Sequence, residues 1–184
     1  MLKSFSKLEM SNADVVYYKS FFSQEQSHCF LTKLSQEINW HQNPVKIFGK
    51  TLLEPRLSAY YGDKPYRYSG STREPLPWHP ILWEIKSTIE PLIGTKFNAV
   101  FLNLYRDGND GVGWHRDNQK ELGFNPTIAS VSFGATRSFI FRRYNDHKNR
   151  IAFELADGDL LVMAGETQKY WQHQVPKSSP RIAS

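Results

Sequence analysis

The chain has little cysteine and lacks any long apolar run. Cys29 is its only cysteine, which excludes an internal disulfide framework and is typical of a reducing compartment. We expect Cys29 itself to be a buried apolar residue of a helix. No apolar run approaches the ~18 residues of a membrane span, and the first ten residues lack the apolar core of a signal peptide. We therefore expect a soluble intracellular protein that contacts no membrane, cytoplasmic if bacterial and nuclear if eukaryotic.

Internal repeats and low-complexity linkers are missing as well. A chain of 184 residues is long enough for one domain with a core and too short for two ordinary domains. We therefore expect a single domain over residues 1–184, acting as a monomer. A hydrophobic content of 40% with 14% aromatic residues excludes a disordered protein. The net charge of +5 is compatible with a polyanionic partner, although charge alone does not identify one.

The chain divides into a part with two helices and a part rich in strands. Ser23 and Gln26 form a capping-box pattern, which predicts a helix from about Gln24 to Ile38. A second helix is predicted from Pro77 or His79-Pro80 until Pro91 and Gly94. Short apolar or alternating runs then indicate a sandwich or jelly roll. These runs are Phe97–Tyr105, Ile128–Phe133, Ser138–Arg143, Arg150–Leu155 and Asp159–Met163.

The most informative pattern is a potential metal site. His115 and Asp117 follow the Gly-rich turn Asp107–Gly111, and on an extended backbone two residues this far apart point to the same side. His173 would have to join them from a distant strand. Two imidazoles and one carboxylate on one face of ferrous iron leave positions open for a chelating acid and for dioxygen. A His-x-Asp pair alone is weak evidence of a metal site, since a surface His with a nearby Asp is usually only a solvated pair.

Further segments of the chain, from about Ile47 to its end, share a pattern with one family. They are Ile47–Lys50, Pro55–Arg56, Tyr61–Asp63, Tyr66–Gly70, Asn103 with Tyr105, His115–Asp117, Ile128–Ala135, His173 and Arg181. In combination these segments resemble the AlkB-type iron(II)- and 2-oxoglutarate-dependent dioxygenases, of the group that repairs alkylated DNA bases. The resemblance implies an α+β, mainly-β fold, a double-stranded β-helix (jelly roll) with two N-terminal supporting helices. It also implies Fe(II), 2-oxoglutarate and O2 as cofactors, with His115, Asp117 and His173 as metal ligands and catalytic residues.

The resemblance also implies a site for the co-substrate. Arginine forms bidentate, permanently charged contacts with carboxylates, and Arg181 is assigned to the distal carboxylate of 2-oxoglutarate, with the Asn103 amide and the Tyr105 hydroxyl as further donors. AlkB-type chains continue this motif as Arg-x-Asn-x-Thr-x-Arg, whereas here Ala183 occupies the Asn position and Ser184 is the last residue. Either the sequence is truncated at its C-terminus or the enzyme lacks one cation near the iron.

Substrate contacts are predicted in the same way. Enzymes that act on a flipped base hold it between rings, and the resemblance assigns Tyr66, Tyr68 and Ser69 to the loop over the active site. Phe48 lies between two lysines, at the place where the AlkB-type enzymes that act on duplex DNA carry a hydrophobic finger. The alternative is that Phe48 packs beneath a hairpin. For the tyrosines, the alternative is that they are ordinary β-sheet residues. Gln119 can accept a hydrogen bond from an exocyclic amine. A basic cluster forms either a solvated face or an edge that contacts phosphates; its members are Arg137, Arg142, Arg143, Lys148 and Arg150.

The resemblance thus implies oxidative demethylation or dealkylation of N-alkylated nucleobases in DNA. Decarboxylation of 2-oxoglutarate to succinate accompanies this reaction, and formaldehyde is released. The expected partner is DNA with alkylated bases, or RNA. Two alternatives stay open: a 2-oxoglutarate oxygenase acting on RNA or on protein, and a catalytically weakened nucleic-acid-binding jelly roll.

Overall fold

Antiparallel strands make up most of the regular structure. The computed structural model of the chain describes residues 4–47, 49–68 and 71–178, with the backbone alone at 46–47, 66–68 and 71–73. The strands are β1 Ser6–Lys7, β2 Asp14–Tyr18, β3 Pro44–Ile47, β4 Lys50–Leu53, β5 Leu57–Gly62, β6 Tyr66–Tyr68, β7 Ser71–Arg73, β8 Ala99–Leu104, β9 Val112–His115, β10 Ile128–Val131, β11 Arg137–Arg143, β12 Asp146–Leu155, β13 Leu160–Ala164 and β14 Trp171–Val175. The helices are α1 Gln24–Glu37, α2 Pro80–Ile93 and the short α3 Thr167–Tyr170, and a 3-10 turn covers Lys120–Leu122.

Two four-stranded antiparallel sheets form the centre of the fold. The first has the strand order β1-β2-β13-β10, and the second has the order β12-β11-β14-β9. Phe139 and Phe141 of β11 pack with Leu161 and Met163 of β13 in one buried cluster. Because alternate strand residues point to the same face, this cluster joins one face of each sheet. The result is the two-layer arrangement of a jelly roll.

Strand β13 is buried on both of its faces. Leu161 and Met163 point toward the second sheet, whereas Leu160 and Val162 belong to a second cluster on the other side. That second cluster is formed mainly by helices α1 and α2 and the segment before α1, which cover the first sheet. Its buried members include Phe21, Phe22, Phe30, Leu34, Ile38, Ile81, Leu82 and Ile89.

Local sequence signals define both long helices. Ser23 Oγ accepts a hydrogen bond from Gln26 N, and Gln26 Oε1 accepts one from Ser23 N, so the predicted capping box forms. Helix α2 begins at Pro80 after the cap His79 and ends before Gly94, whose φ of 69° is left-handed. Among the described helices, none is long and apolar enough to cross a membrane.

The expected burial of Cys29 is wrong, because this side chain is exposed. The buried residues of α1 are Ser27, Phe30 and Leu34, which recur at the three- and four-residue spacing of one helix face. Cys29 falls between them and therefore lies on the outward face. The small Ser27 occupies the buried position instead.

A separate two-stranded pair, β5 with β8, positions one predicted site residue. These strands pair antiparallel from Leu57 opposite Leu104 to Gly62 opposite Ala99, which places Ser58 opposite Asn103. The observed β8 is shorter than the predicted strand and ends one residue before Tyr105. Two small hairpins, β3-β4 and β6-β7, complete the fold.

Candidate active site

The pairing of β9 with β14 brings two histidines together. His115 and His173 are directly opposite each other in the antiparallel register, and residues opposite each other project from the same face. Their ring centroids are 4.2 Å apart. Asp117 follows the end of β9, and its Oδ2 lies 3.5 Å from His173 Nε2. One ligand atom from each of the three residues falls within 4.8 Å of the others.

This donor set fits a ferrous ion. Two imidazoles and one carboxylate form the facial set typical of non-haem iron oxygenases, with the remaining positions open. His115 Nδ1 lies 2.8 Å from the Gly113 carbonyl oxygen, and donation to that oxygen leaves the lone pair on Nε2. Such a hydrogen bond to a backbone carbonyl is the usual way of orienting a metal-binding histidine.

Packing, rather than hydrogen bonding, orients the second histidine. The His173 ring stacks on Phe139 at a centroid distance of 5.3 Å and meets Phe141 edge-on at 6.1 Å. Its Nδ1 is buried and has no hydrogen-bond partner among the described residues. The two phenyl rings therefore fix the plane of the imidazole and direct Nε2 toward Asp117.

The electrostatics of the cluster favour a cation. Burial, assisted by His115, lowers the pKa of His173 well below its usual value, so the imidazole is neutral and can donate its lone pair. Burial raises the pKa of Asp117, and nearby His115 opposes that rise. A carboxylate that is largely shielded from water is costly without a counter-charge. A divalent cation bound by all three groups would compensate this cost.

Helix α3 holds the loop that carries Asp117. The buried Gln168 accepts a hydrogen bond from Asp117 N through its Oε1 at 2.9 Å. The intervening Arg116 points away, because its guanidinium donates to the Lys169 carbonyl and lies over the Tyr144 ring at 3.8 Å. The alternation expected from the His-x-Asp pattern is therefore present.

The Gly-rich turn is fixed at both of its ends. Asp110 is buried and forms a two-pronged ion pair with Arg106, with Nε to Oδ2 at 2.7 Å. Arg137 donates to the carbonyl oxygens of Asp110 and Pro176 at 2.8 and 2.9 Å. Arg137 thereby joins the turn before β9 to the segment after β14. These two strands carry the histidines.

Three segments approach one another closely at Gly111. Its N–H donates to the Pro55 carbonyl at 2.9 Å. A Cβ at Gly111 would lie 2.7 Å from the Val175 carbonyl oxygen, closer than carbon atoms normally approach oxygen. Only glycine lets β9 begin this close to β14 without displacement.

The structure describes the side chains of only some of the remaining predicted site residues. Asn103 Oδ1 accepts a hydrogen bond from Arg56 Nε at 2.5 Å, and the Tyr105 ring lies 5.2 Å from the Arg137 guanidinium. Gln119 has a buried Oε1 without a hydrogen-bond partner in the described part of the chain. Tyr66 and Tyr68 belong to β6, of which only the backbone is described. Phe48, Ser69 and Arg181 lie outside the described residues.

Several residues that build the site have no motif of their own. Gln168 stands in a four-residue helix that carries no sequence signal. Phe139 and Phe141 could have been found from the alternation of the predicted strand over Ser138–Arg143. Arg56 belongs to the Pro55–Arg56 segment, which the family pattern marks without a function.

A jelly roll with two histidines on neighbouring strands and one aspartate just after the first of them defines a class, the non-haem iron oxygenases. The sequence model of the 2OG-Fe(II) oxygenase superfamily matches residues 14–183. The chain belongs to this superfamily and, within it, to the AlkB-type oxygenases. The family assigns Fe(II), 2-oxoglutarate and dioxygen as its cofactors.

Individual relatives support this membership. Alpha-ketoglutarate-dependent dioxygenase alkB homolog 3 of Rattus norvegicus is 42% identical over 172 residues, covering 89% of this chain and 58% of the rat protein. DNA oxidative demethylase ALKBH2 of Mus musculus is 37% identical over 171 residues, covering 86% of this chain and 72% of the mouse protein. The chain thus spans only about three fifths of the alkB homolog 3 proteins, 58% of the rat one.

A solved structure supports the fold. The structure of OsALKBH1 matches with a TM-score of 0.72 at 17% identity, covering 98% of this chain and 91% of that chain. The prediction of a mainly-β jelly roll is confirmed by this likeness.

Proposed function

We propose that this chain is an iron(II)- and 2-oxoglutarate-dependent dioxygenase that removes N-linked alkyl groups from bases in DNA. The observation that carries the proposal is the grouping of His115, Asp117 and His173 within 4.8 Å on a fold whose relatives include proteins named DNA oxidative demethylase. We further propose that residues 1–184 form one domain that acts as a monomer, with α1 and α2 as its supporting helices.

In this proposal the three clustered residues bind Fe(II), and Asn103, Tyr105 and Arg181 bind 2-oxoglutarate. The bound iron supplies the oxidation of an N-linked alkyl carbon by dioxygen, with 2-oxoglutarate converted to succinate and carbon dioxide. For a methyl group, the N–CH2OH group so formed would lose its C–N bond and leave as formaldehyde, and the hydroxyl proton would pass to the base nitrogen or to water. The protein side chains contribute by holding the reacting groups in line rather than by acid–base chemistry.

The substrate base is assigned to residues beside the metal ligands. Gln119 lies two residues after Asp117, and its buried Oε1 lacks a described partner. A buried acceptor without a donor is costly, so an exocyclic amine of a bound base would satisfy it. Tyr66, Tyr68 and Ser69 are proposed to cover the base, and Phe48 to fill the space that a flipped base leaves in a duplex.

The outer face of the second sheet supports a polyanionic substrate. Arg142 and Arg150 are directly opposite each other on β11 and β12, and like charges in this position repel. Both guanidinium groups lie over the Trp114 ring, at 4.2 and 5.8 Å. Within the described residues neither forms an ion pair with an acidic side chain. A phosphate between them would relieve the repulsion and release counterions.

A substrate comparison tests the proposal. A methylated DNA strand, an RNA of the same base sequence and a methyl-lysine peptide would each be incubated with the protein, Fe(II), 2-oxoglutarate and air. We expect succinate formation above background with the DNA strand. We also expect the affinity for this strand to fall as the salt concentration rises, because its phosphates are contacted. Stimulation by RNA or peptide alone would overturn DNA as the substrate. Binding of DNA without any succinate would favour a nucleic-acid-binding module.

A further inference from the structure

A buried ion pair lies against one of the proposed co-substrate residues. Arg56 is only 4% exposed, and its terminal nitrogen lies 3.3 Å from Glu54 Oε1, with Glu54 fully buried. The Nε of the same guanidinium donates to Asn103 Oδ1 at 2.5 Å. A buried ion pair is weak support for stability, because desolvation offsets the attraction. Its contact with Asn103 points to another role.

The chemistry of arginine determines which way the Asn103 amide faces. A guanidinium carries only N–H donors and no acceptor, so the Asn103 atom that faces Arg56 has to be the carbonyl oxygen. The amide NH2 group is then on the opposite side. Asn103 is exposed, unlike Arg56, so its amide is accessible to a ligand on the solvent side. Without Arg56 the amide could turn and present its oxygen there.

Neighbouring hydrogen bonds prevent the ion pair from reversing this polarity. Glu54 accepts a hydrogen bond from Ser58 Oγ at 2.8 Å, and Ser58 in turn accepts one from Asn43 Nδ2 at 2.9 Å. A carboxylate only accepts and a guanidinium only donates. The direction of the hydrogen bonds at Glu54 and Arg56 is therefore fixed, and such linked bonds strengthen one another.

The same short segment is attached to the strand that carries a metal ligand. Pro55, between Glu54 and Arg56, accepts a hydrogen bond from Gly111 N at 2.9 Å. Gly111 immediately precedes β9, the strand that ends in His115. Residues 54–56 therefore hold both Asn103 and the start of the metal-binding strand.

We propose that Arg56, held by Glu54, is a positioning residue that presents the Asn103 NH2 group as a fixed donor to the carboxylate of the co-substrate. Arg56 does not contact the reacting atoms in this account. By keeping the Asn103 NH2 group available as a donor, Arg56 makes Asn103 favour a ligand that accepts hydrogen bonds, such as a carboxylate. The inference rests on the proposed function, in which Asn103 binds 2-oxoglutarate.

Two substitutions at Asn103 test the polarity. The affinity for 2-oxoglutarate would be measured by calorimetry without oxygen, with Mn(II) in place of Fe(II). We expect Asn103→Ala to bind about tenfold more weakly, the loss of a charged hydrogen bond. Asn103→Asp should bind more weakly still, because it keeps the bond from Arg56 but turns an anionic oxygen toward the ligand. Binding by Asn103→Asp that equals or exceeds that of Asn103→Ala would overturn the inference.

Two substitutions at Arg56 test the positioning. Arg56→Met removes the donor, and we expect a loss of affinity like that of Asn103→Ala, with no further loss in the double variant. Arg56→Lys keeps a donor and should recover most of the affinity. If Arg56→Met lowers the unfolding temperature but binds 2-oxoglutarate like the parent, Arg56 is only structural and the inference fails. If Arg56→Met does not fold, the Asn103 comparison decides alone.

The design separates this inference from the proposed function. Unchanged affinity in Asn103→Ala would remove Asn103 from the co-substrate site and overturn the inference, whereas only a parent protein that does not bind 2-oxoglutarate would overturn the proposed function. Weakened affinity in Asn103→Ala together with unchanged affinity in folded Arg56→Met would overturn only the role of Arg56.

Discussion

Replacing Gln168 by Leu should weaken metal binding although Gln168 is not a metal ligand. Its Oε1 accepts the hydrogen bond of Asp117 N at 2.9 Å, and the side chain is 2% exposed. Leucine fills a similar volume but leaves that N–H without a partner. An unsatisfied buried donor costs about 1–3 kcal/mol. For a chain of this size, each kcal/mol corresponds to roughly 2–4 °C in unfolding temperature.

The effect on the metal should exceed the effect on stability. Loss of a group that orients a metal ligand typically costs about 10- to 100-fold in metal affinity. Titration with Co(II), followed by its visible absorption, would measure this affinity. Gln172→Leu is a matched control, because Gln172 accepts a hydrogen bond from Arg142 at 2.8 Å beside the metal ligand His173. We expect unchanged Co(II) affinity in this control.

One result would refute the reasoning. If Gln168→Leu binds Co(II) as tightly as the parent while its unfolding temperature falls, Gln168 stabilises the fold without positioning Asp117. An equal loss in Gln172→Leu would mean that any change next to the site disturbs it.

Three further predictions concern the strands, acid stability and the substrate. Gly111→Ala places a Cβ 2.7 Å from the Val175 carbonyl, so we expect weaker metal binding and a lower unfolding temperature in calorimetry; an unchanged protein would show that the strands can separate freely. Burial alone would raise the pKa of Glu90, but a backbone hydrogen bond and two lysines outweigh it and lower that pKa. Its stabilising effect is therefore complete above its usual pKa of 4.5 and is lost as the pH falls through the lower folded value; denaturant titration should show a smaller loss on acidification in Glu90→Gln, and equal losses would contradict this. Phe48→Ala should lose repair of duplex DNA but spare single strands, while Tyr68→Ala should weaken activity on both substrates by roughly 1–3 kcal/mol; equal losses on duplex and single-stranded DNA in Phe48→Ala would assign Phe48 to the core.

Local structure could be predicted wherever a short segment carries its own signal. The capping box at Ser23 and the glycine after Ile93 define the helices without reference to the rest of the chain. The alternating runs predicted β10 to β13 to within a few residues, apart from the longer hairpin at β12. The predicted burial of Cys29 was wrong because the buried face of α1 is set by its contacts with the rest of the cluster around Phe22, Phe30 and Phe133, which residue type does not encode.

The site required information that local patterns lack. His115 and Asp117 share a face by simple alternation, but the register that sets His173 opposite His115 depends on the pairing of distant strands. Family resemblance supplied this connection. Gln168 and Arg56 act through buried hydrogen bonds to Asp117 and Asn103, and such partners become apparent only in three dimensions.

The central claim is that His115, Asp117 and His173 hold one iron ion with which the chain removes alkyl groups from DNA bases. The most direct test is the mass of a single-stranded oligonucleotide with one methylated adenine after incubation with the protein, Fe(II), 2-oxoglutarate and air. The account predicts that the parent removes the methyl group and releases one formaldehyde for each base repaired. Asp117→Ala should leave the mass unchanged while still binding the oligonucleotide. An unaltered oligonucleotide with the parent protein, or full repair by Asp117→Ala, would contradict the account.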